Sequence, residues 1–135
     1  MTDDLTLVVV TPECTRHYRV PAVPGMTLLD ALLLVQERED PGLSLNWNCR
    51  TAQCGICAVS ADGVPTLACM SAVRAGCSYE VAPILPARHL RGLVCDLSEV
   101  YRDFFAATAR RGKERVKKER FETLLITPLG DEQQC

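Results

Sequence analysis

No stretch of this 135-residue chain approaches the roughly 18 consecutive apolar residues of a membrane span, so a transmembrane segment is not expected. The opening "MTDDLTLVVV" starts acidic and its apolar run is short, which does not fit a secretory leader. Aromatic residues are scarce: one Trp, three Tyr and three Phe, so aliphatic packing must supply most of the core. There is no internal repeat and no low-complexity tract. A second C-x2-C knuckle, which a zinc ribbon uses, is absent. So is the C-x2-C-x2-C-x3-C run of 4Fe–4S proteins.

What is present is cysteine, eight of them in a chain whose opening predicts a soluble, cytoplasmic protein. That compartment favours metal or redox chemistry over a disulfide framework. The formal net charge of −2 hides an uneven distribution. "ARRGKERVKKER", residues 109–120, carries seven Lys/Arg against two Glu, a local +5 on an otherwise acidic chain. The run lacks interleaved aromatics, so nucleic-acid binding is not expected and a solvated helical face is.

"LTLVVVT" (5–11) is rich in β-branched residues and predicts a strand, with "HYRVPAV" (17–23) as its antiparallel partner. At "PGMTLLDALLLVQERED" the period changes to helical. Thr27 is a plausible N-cap with Asp30 three residues on, Leu28, Ala31, Leu32 and Val35 share a face, and "DPG" at 40–42 ends the helix. "SYEVAPI" (78–84) predicts a further strand. The expectation is an α+β, β-grasp-like domain over 1–86. Helical spacing of Leu93, Leu97, Val100, Tyr101 and Phe104 predicts a helical extension over 87–135 that ends in the basic run and a frayed tail.

Between them lies "NCRTAQCGICAVSADGVPTLACM", with four cysteines spaced C-x4-C-x2-C-x11-C: Cys49, Cys54, Cys57 and Cys69. Thiolates suit zinc, Cu(I) and iron–sulfur clusters. The C-x4-C-x2-C order with a more distant fourth Cys is that of plant-type 2Fe–2S proteins, so one 2Fe–2S cluster is the expected cofactor, with zinc as the alternative metal. Two bridged irons need two thiolates each. Gly55 lets the backbone of the loop approach the cluster and offers N–H groups toward its sulfurs. "ADG" turns a hairpin that returns the chain to Cys69. Arg50 is either a local counter-charge or an ordinary solvated arginine, and Trp47 either shields the site or belongs to the core. Cys77 and Cys95 are expected to be buried and to behave as small hydrophobes, while Cys14 and Cys135 do not fit the pattern. His17 and His89 lie outside the cysteine stretch, so a Rieske site is rejected.

The stretch from "GMTLLDALLL" through "DPGLS", Cys49-Arg50, Cys54-Gly55, Cys57, Asp62-Gly63 and Leu67-Ala68-Cys69 resembles the N-terminal domain of the iron–sulfur subunit of succinate dehydrogenases and fumarate reductases. The likeness continues through "VAPILPARHLRGLVCDLSEVYRDF". It implies a β-grasp domain with a 2Fe–2S cluster on Cys49, Cys54, Cys57 and Cys69, exchanging single electrons with a flavoprotein partner. Catalytic residues are not expected in the chain itself. Three departures stand out. The family usually has Gly where this chain has Ala52, Cys95 is unusual at its position, and the family's later C-x2-C-x2-C motifs do not occur in these residues. The resemblance therefore implies that further iron–sulfur subunits supply the next centre, or that the acceptor differs, and that any membrane association runs through partners. The small iron–sulfur subunits of molybdenum hydroxylases are similar in the C-G-x-C core but carry a second set of four cysteines. A subunit or free ferredoxin serving such a reductase, and a zinc-stapled interaction module, are the alternative functions.

Overall fold

The computed structural model describes residues 3–84 and 87–110. Strand β1 (Asp4–Val10) pairs antiparallel with β2 (Thr15–Pro21) and parallel with β5 (Ser78–Ala82). β3 (Ala58–Ala61) and β4 (Val64–Leu67) form a hairpin, and β3 also pairs with β5. The mixed sheet runs β2-β1-β5-β3-β4. One helix, α1 (Leu28–Arg38), completes the expected α+β arrangement.

The alternation of β1 buries Leu5, Leu7 and Val9, and β5 answers with Tyr79 and Val81. α1 contributes Leu28, Leu29, Ala31, Leu32 and Val35 to the same core. Its start is the capping box expected from the sequence: Thr27 Oγ1 accepts from the Asp30 N–H, and the Asp30 carboxylate accepts from the Thr27 N–H. Its end is tied by Asp40, whose carboxylate accepts from the Tyr18 hydroxyl at 2.6 Å and from Arg16 at 2.5 Å. Two polar side chains among the described residues, Thr66 and Ser71, are buried in the core; they bond each other at 2.6 Å, and the Ser71 hydroxyl reaches the Leu67 carbonyl.

The segment after residue 86 departs from expectation. Its first part is a second hairpin, β6 (Arg88–Arg91) with β7 (Val94–Asp96), and helix α2 (Ser98–Arg110) starts only at Ser98. Gly92 is the reason. It turns the chain at φ +55° and lies so close to residue 44 that an added Cβ would stand 2.9 Å from the Ser44 carbonyl oxygen. The adjoining Leu93 N–H donates to that oxygen, and the Leu93 side chain is buried. The helical spacing that begins at Leu93 thus counts a core residue of a hairpin turn. Asp96 accepts from the Ser98 N–H and so starts α2. Cys77 is buried as expected, but it is disulfide-bonded rather than a free small hydrophobe; Cys95 is half-buried. His89 lies in β6, and His17 is exposed on β2. Most of the basic run, the tail and Cys135 lie outside the described residues. Among the described residues no helix is long and apolar enough to cross a membrane.

Candidate metal centre

Cys49, Cys54 and Cys57 sit in an irregular turn between α1 and β3, and Cys69 follows β4 in a short 3-10 turn (Ala68–Met70). The β3–β4 hairpin returns the chain as the spacing predicts: Asp62 and Gly63 turn it with positive φ, and the Ala68 N–H donates to the Cys57 carbonyl at 3.2 Å. Cys54 donates its N–H to the Cys49 sulfur at 3.3 Å. The Cys57 and Cys69 side chains are neighbours, both in the core. Among the described residues no three His, Cys, Asp or Glu converge on a point sized for a single ion.

The turn is shaped to receive negative charge on sulfur. Arg50 and Ala52 both adopt left-handed backbone, at φ +55° and +58°, and this alternation directs successive N–H groups inward. Thr51, Gln53 and Cys54 donate theirs to the Cys49 sulfur at 3.4, 3.3 and 3.3 Å. Led by Thr51, these bonds lower the Cys49 pKa to about 6. Burial pushes the Cys57 thiol the other way, up to about 12. Residue type alone credits Gly55 with these N–H donors. Gly55 instead supplies a turn at φ +70°, and its carbonyl accepts from Ala58. The donors sit one turn earlier, a detail of backbone conformation that residue types do not reveal.

Ala52 holds the left-handed geometry for which glycine is better suited, so the departure at this position costs strain rather than reshaping the turn. Arg50 is neither a free solvated arginine nor an unopposed counter-charge. It reaches Asp30 at 3.1 Å and lies 4.8 Å over the Trp47 ring, fastening the turn to the first turn of α1. Trp47 is 45% exposed and is not a core aromatic. Tyr101, which in the sequence is only one position of a helical face, completes the site. Its hydroxyl, on α2, donates to the Cys54 carbonyl. Burial raises the Tyr101 pKa, and the nearby Cys54, Cys49 and Cys57 raise it further.

The donor set fits a 2Fe–2S cluster, with four thiols for two irons and N–H groups aimed at the Cys49 sulfur. A separate cleft of about 210 Å³ lies near the C-terminal end of α1, lined in part by Arg16, Tyr18, Asp40 and Arg91. Arg16, Tyr18 and Asp40 bond one another there.

Residues 9–102 match the family of 2Fe–2S iron–sulfur cluster binding domains. The chain is 39% identical over 80 residues to the mitochondrial succinate dehydrogenase [ubiquinone] iron–sulfur subunit of Dictyostelium discoideum, covering 57% of this chain and 28% of that protein. It is 37% identical over 82 residues to the fumarate reductase iron–sulfur subunit of Haemophilus influenzae, covering 60% and 32%. It is 31% identical over 110 residues to a fumarate reductase (CoM/CoB) subunit of Methanothermobacter marburgensis, covering 78% and 22%. The chain thus spans about a third or less of each of these relatives. Among solved structures, the Mycobacterium smegmatis Sdh1 complex in the apo form aligns with a TM-score of 0.69 at 28% identity, over 78% of this chain and 47% of that one.

Proposed function

Because the chain belongs to the 2Fe–2S iron–sulfur cluster binding domain family, we propose that it carries single electrons to or from a flavoprotein partner in a succinate dehydrogenase/fumarate reductase-like complex. One cluster is held by Cys49, Cys54, Cys57 and Cys69. The observation that carries this reading is the Cys49 sulfur cradled by three backbone N–H groups of the turn that also holds Cys54 and Cys57.

When bound, a 2Fe–2S cluster supplies reversible one-electron chemistry. The chain's own groups set the conditions for it. The N–H groups of Thr51, Gln53 and Cys54 stabilise negative charge on the Cys49 sulfur, which favours the electron-rich state. Core burial of Cys57 and Cys69 excludes water from one side. Arg50 and Asp30 hold the turn in place from the other. Bond-making chemistry on a substrate belongs to the partner, and a further centre in another subunit takes the electron onward. The chain works in the cytoplasm and reaches a membrane only through its partners.

The test is anaerobic purification with iron, sulfide and zinc assays and a visible spectrum before and after dithionite. Two irons and two sulfides per chain with a bleachable spectrum, lost in Cys49→Ser and Cys69→Ser, are expected. A colourless, zinc-loaded protein would refute the reading. A gentle pull-down from the native host, assayed for flavin, tests the partner. Iron-loaded material that never brings flavoprotein with it points to a freely diffusing carrier.

A further inference from the structure

We propose that Tyr101 is a positioning residue for the cluster site: its hydroxyl fastens the ligand turn to α2 through the Cys54 carbonyl. The proposal rests on the cluster-binding reading above and names a residue that acts on that site from a separate element.

The turn needs an outside hold. Residues 49–57 form no helix or strand, and two of its non-glycine residues, Arg50 and Ala52, stand at positive φ. Its inward N–H groups at Thr51, Gln53 and Cys54 are all committed to the Cys49 sulfur, so they cannot anchor it to the rest of the domain. Among the described residues two side-chain hydrogen bonds fasten it to helices. One is the Arg50 pair with Asp30, between side chains 48% and 37% exposed and so screened by water. The other is Tyr101, which is half-buried and meets the backbone between the second ligand, Cys54, and Gly55.

Tyr101 is itself well placed to act as an anchor. Its N–H donates to the Leu97 carbonyl at 3.0 Å, in the first turn of a helix whose start is capped by Asp96. Just before that helix, Leu93 is buried, while Cys95 and Leu97 pack against the core. A short, rigid path therefore runs from the core through α2 to the carbonyl of a ligand residue. A phenol suits the role because it spans the gap with a flat apolar ring and ends in one donor.

The experiment compares the iron-loaded wild type with Tyr101→Phe and Tyr101→Ala. Tyr101→Phe keeps the ring and removes only the hydroxyl. It should take up full iron, yet show shifted g-values in the reduced-state electron paramagnetic resonance spectrum and a shifted midpoint potential. Its visible absorbance should decay about fivefold faster under chelator, the equivalent of one net hydrogen bond of about 1 kcal/mol. Tyr101→Ala should decay faster still, because the half-buried ring is lost together with the hydroxyl. Tyr101→Phe with wild-type g-values, potential and lifetime would overturn the proposal. If that variant does not fold, the unmodified protein labelled with 13C-tyrosine supplies the readout. One of its three tyrosines should be broadened or shifted by the cluster, and three unperturbed tyrosines would overturn the proposal. An iron-free wild type would instead overturn the reading on which the proposal rests, and the proposal with it.

Discussion

Asp30 is one carboxylate shared between a helix start and the cysteine turn, and replacing it with alanine removes both duties at once. Oδ2 accepts from the Thr27 N–H at 3.0 Å and from the Thr27 hydroxyl at 2.7 Å, while Oδ1 accepts from Arg50 at 3.1 Å. Loss of the capping partner costs about 1 kcal/mol. The Arg50 pair is well exposed, so solvent screening reduces its share to about 0.3 kcal/mol. The sum, about 1.3 kcal/mol, lowers Tm by about 5 °C in a domain of this size. Asp30→Asn keeps an acceptor for Thr27 and should lose about half as much. The Thr27 backbone bond, the Thr27 hydroxyl and then Arg50 hold the Asp30 carboxyl below its ordinary value of 3.8. A carboxyl with a depressed folded pKa stabilises fully above its unfolded pKa and loses that stabilisation as pH falls through the folded one. The gap between wild type and Asp30→Ala should therefore stay constant near neutrality and close below about pH 4. Thermal melts across pH, repeated at about 1 M salt to screen the Arg50 share, separate the two contributions. An Asp30→Ala protein that melts with the wild type at pH 7, or a gap that widens on acidification, would refute the reasoning.

Two other substitutions test the backbone around the site. Ala52→Gly relieves a left-handed alanine at φ +58° and should raise stability by about 0.5 kcal/mol once the extra chain entropy of glycine is subtracted; a lowered urea midpoint would show that packing of the Ala52 methyl outweighs the strain. Gly92→Ala drives a Cβ to 2.9 Å from the Ser44 carbonyl oxygen at φ +55° and should cost about 2 kcal/mol, read as a lower urea midpoint at constant slope. A midpoint unchanged from wild type would mean that the β6–β7 turn is not pinned against residue 44.

Local signals were legible where a residue type answers to its immediate neighbours. Thr27 and Asp30 are three apart and make the capping box that their spacing promised. The β-branched run of β1 and the Asp62-Gly63 turn formed within a residue or two of expectation. The cysteine spacing pointed to the cofactor because ligand chemistry depends on residue type and chain reach, and both can be read along one strand of text. Tertiary contact decided the rest. Gly92 breaks a helical pattern because the backbone at Ser44, far away along the chain, leaves no room for anything but a turn. Tyr101 counted as one more apolar helical position until the fold brought its hydroxyl to the Cys54 carbonyl. Arg50 offered two readings in one dimension, and the approach of Asp30 and Trp47 chose between them by pairing its charge. Spacing determines what a residue offers to the residues near it in sequence; which distant groups accept that offer depends on how the sheet and helix pack, because only packing sets those distances.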